Sequence, residues 1–123
     1  MSPEAIKQDF ESALVKHFSF KARLRSFLYG NAGAEAPLRD PDQCSFGQWI
    51  TSRQHGAYAH IPDMQALDRE HRRIHEQANT LMDLRLAGQA EEALASFQDV
   101  QRQADHIVQL LQTIESQLRT AGV

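Results

Sequence analysis

The chain has 123 residues, of which 41% are hydrophobic and 24% charged, with a formal net charge of −3. That balance describes one globular domain over residues 1–123 with a real core, and it gives no sign of a nucleic-acid partner. With one cysteine there is no internal disulfide, no run approaches the roughly 20 apolar residues of a membrane helix, and the Met1 to Ala5 start is not a secretory leader, so a cytosolic location without membrane insertion is expected.

A first helix is predicted from about Pro3 to Tyr29, with Ser2 as N-cap, Pro3 at the first helical position and Gly30 as the stop. Its inward stripe is Ile6, Phe10, Ala13, His17, Phe20, Leu24 and Phe27, spaced alternately by four and three. The basic patch from Lys21 to Arg25 reads as a solvated face. Asn31 to Pro41, rich in Gly, Ala and Pro, is expected to be a loop. A short helix from about Gln43 to Arg53 should carry Cys44, Phe46, Trp49 and Ile50, and Gln54 to Ile61 should be irregular.

A second long helix is predicted from about Pro62 to Ala87, with the stripe Met64, Leu67, His71, Ile74, Ala78 and Leu81 and with His75 beside it. The last helix, about Ala90 to Thr120, has the longest repeat: Ala90, Ala93, Phe97, Val100, Ala104, Ile107, Leu111, Ile114 and Leu118. The short Gly88-Gln89 connection makes these two helices antiparallel neighbours. The expected fold is therefore all-α, an antiparallel helical bundle of three long helices plus a short helix carrying the cysteine.

His71 and His75 stand four apart, so one helical face presents both imidazoles. In a chain with six histidines such a pair also arises by chance. Arg72 occupies the place where a zincin has its general-base glutamate, which argues against a metalloprotease. A lone histidine on an apolar stripe is more often a core residue bonded to a carbonyl. Here, however, His17 and His71 interrupt two stripes, and burying an imidazole without a partner costs about 1–3 kcal/mol. A shared metal ion is the simplest partner.

Cys44 reads either as a small buried hydrophobe or as the thiolate completing a three-histidine, one-cysteine zinc site. His55 and His60 lie in the irregular segment as substitute ligands, and His106 falls off its stripe. Trp49 reads as a core anchor for the short helix. A hemerythrin-like di-iron carrier or oxidase is the alternative, but it needs inward carboxylates, and Asp68, Glu70 and Glu76 fall off the main seam. An adaptor with merely buried histidines is the blander option.

Taken together, His17, the run Cys44-Ser-Phe46-Gly47-Gln-Trp49 and the pair His71-Arg-Arg-Ile-His75 resemble the chemoreceptor zinc-binding (CZB) domain family across nearly the whole chain. The resemblance implies a helical bundle holding one zinc ion through His17, Cys44, His71 and His75. Phe46, Gly47 and Trp49 would support the site, as would Asp40, whose other reading is a turn residue before Pro41. It also implies bacterial cytosolic signalling, with members attached to chemotaxis receptors or to diguanylate cyclases. In the cyclase-linked members zinc would inhibit cyclic di-GMP synthesis; in the receptor-linked members the cysteine could sense an oxidant. This sequence contains neither a GGDEF catalytic domain nor a receptor coiled-coil hairpin, a departure that leaves its output open.

The expected function is thus a zinc-responsive regulatory module, redox-sensitive at Cys44, with no catalysis of its own, because four protein ligands leave no open position for substrate. A homodimer is expected from a second apolar line, Leu14, Phe18 and Leu28, and less clearly from Val108 and Leu110.

Overall fold

Ser2 Oγ accepts a hydrogen bond from the Ala5 N–H at 3.0 Å and starts α1, Pro3–Leu28, in a computed structural model that describes residues 2–30, 33 and 35–121. The cap satisfies an amide that has no partner inside the helix, and Pro3 has no amide proton to satisfy. The chain continues through a one-turn helix α2 (Ala36–Arg39), a 3-10 turn (Pro41–Gln43), α3 (Ser45–Gln54), α4 (Asp63–Leu86) and α5 (Ala90–Ala121). There is no strand among the described residues. The fold is an all-α bundle, and no helix is long and apolar enough to cross a membrane.

Glycines stop two of the long helices. Gly30 and Gly88 adopt φ values of 97° and 85°, a region that other residues enter only with strain. At the end of α4, Gly88 N–H donates to Arg85 O and Gln89 N–H to Leu84 O, which closes the helix and reverses the chain into α5.

Helix α5 packs against both α4 and α1, while α3 packs against α1 and α4. The anticipated stripes of α1 and α4 are buried throughout, and so is that of α5 from Ala93 onward. Three polar side chains share this core: His17, His71 and His75.

The region between α1 and α4 departs from expectation. Helix α3 begins at Ser45, so Cys44 caps the helix and is not carried within it. The expected loop contains α2, with Leu38 buried, and runs at Pro41 into the 3-10 turn; Asn31, Ala32 and Ala34 of that loop lie outside the described residues. Each of these short elements has a proline in its first two positions and is too brief to show a hydrophobic period. Leu28 is also buried, so the second apolar line on α1 lacks one of its three members. Val15 and Phe18 are the exposed apolar residues in the middle of α1.

Candidate metal centre

The Cys44 sulfur and one ring nitrogen each from His71 and His75 lie within 4.8 Å of one another, and all three residues are buried. Two elements supply them. The spacing of His71 and His75 on α4 puts both rings on the inner face, where their Nε2 atoms are 3.1 Å apart. Cys44 arrives from the junction of the 3-10 turn and α3, in extended backbone with φ −84° and ψ 132°.

Gly47 allows that junction to sit so close. A Cβ there would lie 1.9 Å from Pro41 O and 2.8 Å from His71 Cε1, so any side chain would push the turn and the imidazole apart. Phe46, on the same turn of α3, stands edge-on to the His71 ring with centroids 5.2 Å apart, and its centroid is also 5.2 Å from that of His17. Phe20 packs on His75 at 4.6 Å. The walls of the site are therefore aromatic and apolar.

His75 Nδ1 donates to Leu38 O at 2.8 Å, which leaves the Nε2 lone pair facing the cluster. His17 is buried but falls outside the compact set of three. Its Nε2 is 3.1 Å from Ala104 O on α5, so Nε2 carries the proton and Nδ1 carries the lone pair. That Nδ1 is buried and has no hydrogen-bond partner.

Asp40 accepts the Asp42 N–H at 2.9 Å and caps the 3-10 turn; its charge also favours protonation of His75. His55, His60 and His106 are exposed and lie outside the cluster.

Burial sets the protonation states. It pushes His71 down to about 3, with further repulsion from His75 and His17, and it pushes His17 down to about 4 against the pull of the Ala104 carbonyl. His75 is also lowered by burial, partly offset by its bond to Leu38. All three imidazoles are neutral at pH 7, the form that binds metals. Burial raises the Cys44 thiol, although the backbone amides of Gly47 and Phe46 at the start of α3 work the other way.

The donor set fits zinc. Neutral imidazoles and a thiolate are its preferred ligands, and the ligand–ligand edges of a zinc tetrahedron are about 3.3–3.6 Å. The His71–His75 separation is close to that edge, and the whole set lies within about an ångström of enclosing an ion. No carboxylate joins this cluster among the described residues, and a di-iron site would need several.

One residue that bears on this site has no signal in the sequence. Asp9, one position before Phe10 on α1, accepts hydrogen bonds from Trp49 Nε1 at 3.2 Å, Arg53 Nε at 2.9 Å and Tyr58 OH at 2.6 Å. Arg53 Nη2 completes a two-pronged ion pair with it. Burial raises the Asp9 carboxyl, but the bonds from Arg53, Tyr58 and Trp49 outweigh this and leave it below its ordinary value. The clasp ties α3, the helix that Cys44 caps, to α1. Trp49 is the core anchor expected, packed edge-on against Phe10.

A family model described as the chemoreceptor zinc-binding domain matches residues 17–82, the segment that holds His17, Cys44, His71 and His75. No curated protein and no solved structure matches the chain.

Proposed function

The chain belongs to the chemoreceptor zinc-binding domain family, and on that premise we propose that residues 1–123 form one non-catalytic regulatory module controlled by zinc. Zinc is the cofactor: Cys44, His71 and His75 are positioned to bind a metal ion. The observation that carries the reading is this convergence of a thiol and two neutral imidazoles in the buried interior. We assign Cys44, His71 and His75 as ligands, with His17 as the fourth through Nδ1. The support for His17 is its buried, unpartnered Nδ1, whose lone pair is free while Nε2 holds Ala104.

Bound zinc would supply a cross-link. It would join α1, the start of α3 and α4, and structural zinc sites contribute an apparent ~10–16 kcal/mol in small peptides. A bundle that folds without metal realises only part of that, still enough to move a two-state packing equilibrium. Four protein ligands leave no open position for substrate, in keeping with regulation and not hydrolysis.

Metal analysis of protein purified without added metal tests this assignment. We expect about one zinc per chain, lost in Cys44→Ala and in His71→Ala; unchanged zinc in both variants refutes it.

We propose a signalling role supported by family membership: control of a chemotaxis receptor or of cyclic di-GMP synthesis by a diguanylate cyclase, inside the cytoplasm. Cys44 is the most oxidisable ligand, and its conversion to a sulfenic acid by a peroxide or hypochlorous acid would weaken its hold on zinc. Mass spectrometry after stoichiometric oxidant decides this point; oxidation of the methionines before Cys44 ends the sensor reading. We also propose a homodimer through the exposed middle of α1, where Val15 and Phe18 stand in solvent. Sedimentation showing only monomer at micromolar concentration overturns it.

A further inference from the structure

We propose that Asn79, together with Arg39, is a positioning residue for His75, holding in place the carbonyl that fixes the imidazole with Nε2 toward the metal. This rests on the reading of His75 as a zinc ligand.

The argument starts from the His75 ring. Its Nδ1 lies 2.8 Å from Leu38 O, and a carbonyl only accepts, so Nδ1 is the protonated nitrogen and Nε2 the free one. Partners of this kind set the tautomer and angle of metal-binding histidines, and losing one typically costs 10–100-fold in metal affinity. Leu38, however, sits on α2, a single turn of four residues. A helix so short has no stability of its own, so something else must hold its carbonyl in place.

Asn79 does so from α4, one turn beyond His75. Its Nδ2 donates to Arg39 O and to His75 O, both at 3.0 Å, while its Oδ1 accepts from Arg39 Nη1 at 3.0 Å. One amide thus joins the residue after Leu38 to the backbone of His75 itself. The backbone that carries the donor ring and the peptide next to the acceptor carbonyl are held to the same side chain. The rest of the Arg39 guanidinium reaches Glu35 Oε1 at 2.9 Å and Asp83 Oδ1 at 3.0 Å, bracing α2 against α4 on its outer side. The buried Leu38 side chain fastens the inner side. Aspartate in place of Asn79 would keep the contact with the guanidinium but would set a carboxylate oxygen against two carbonyls.

The test uses the full chain with ¹⁵N-labelled imidazoles. In the metal-free protein, NMR should report His75 as the Nδ1–H tautomer. In Asn79→Asp and Asn79→Leu it should become a mixture of tautomers, and zinc affinity, measured by chelator competition, should fall about tenfold or more. Arg39→Lys should fall between these and the parent. A merely structural role for Asn79 would lower the melting temperature and leave the His75 tautomer as it was. A folded Asn79 variant with parental tautomer and parental zinc affinity overturns the proposal, as does an Nε2–H tautomer in the parent protein. Should Asn79→Leu fail to fold, Asn79→Asp and Arg39→Lys carry the same readouts. His75→Ala with undiminished zinc affinity would instead overturn the ligand reading, and the affinity part of this proposal with it.

Discussion

The Nε2 atoms of His71 and His75 face each other at 3.1 Å in the buried interior. Because His75 donates through Nδ1 to Leu38, its Nε2 can only accept, so in metal-free protein the proton between the rings belongs to His71. An ion taking both lone pairs requires that proton to leave His71 Nε2. The neutral ring can hold it on Nδ1 instead, with no net loss of a proton.

Proton counting follows from this arrangement. The imidazoles are neutral at pH 7, whereas burial keeps the Cys44 thiol protonated. Zinc binding should therefore release about one proton per ion, from the sulfur. Calorimetry in buffers of different ionisation enthalpy measures this number. A value near zero removes Cys44 from the ligand set.

Acid should destabilise the metal-free bundle earlier than ordinary carboxylate titration would. His17 and His71 take up protons near 6.5 when unfolded but only near 4 and 3 when folded. The unfolded chain thus binds more protons below pH 6.5, and stability falls as pH falls through that window. Between pH 7.5 and 5.0 the loss should be about 2 kcal/mol for each of the two histidines. Urea unfolding of zinc-free protein at the two pH values checks it; equal midpoints would contradict the burial of neutral rings.

Replacing Gly47 with alanine would normally help a helix by about 1 kcal/mol. Here the added methyl meets Pro41 O and His71 Cε1. We expect Gly47→Ala to cost about 1–3 kcal/mol through overpacking and to weaken zinc binding as Cys44 and His71 are pushed apart. Thermal melts with and without zinc measure both effects, and a stabilised variant with full zinc affinity would show the close approach to be unimportant.

The Asp9 clasp offers a third handle. Three different side chains donate to one carboxylate, and Asp9→Ala removes the acceptor that Trp49, Arg53 and Tyr58 share. The expected loss is about 2 kcal/mol, because the ion pair is partly solvated on the Arg53 side. Tyr58→Phe, which removes one donor only, should cost about 1 kcal/mol. Denaturant midpoints of the two variants test the ranking.

The long helices were plain in the sequence because 24 or more residues of periodic stripe leave little room for another reading. His71 and His75 were visible for the same reason: their spacing is the helical repeat itself. Cys44 stood out as the only cysteine, yet its place at the cap of α3 did not, since a cap is set by backbone angles and not by residue type. Leu38, Asn79 and Asp9 were hidden for a different reason. The contacts that matter reach partners 37 to 49 residues away, and no local pattern marks a long-range hydrogen bond. His17 was marked by a polar interruption of an apolar stripe, which signals a buried partner without saying which. That partner includes a carbonyl of α5, from a segment beyond the matched region.

The Ala104 carbonyl gives the longest helix mechanical meaning. Ala104 lies near the middle of α5, with 17 residues following it up to and including Ala121, so the arm beyond this point is about 25 Å long. A pivot of about 5° there displaces the tip by roughly 2 Å. The His17 ring is the strut at this fulcrum; were it to shift as the proposed fourth ligand, a sub-ångström displacement in the interior would become a stroke at the end of the lever.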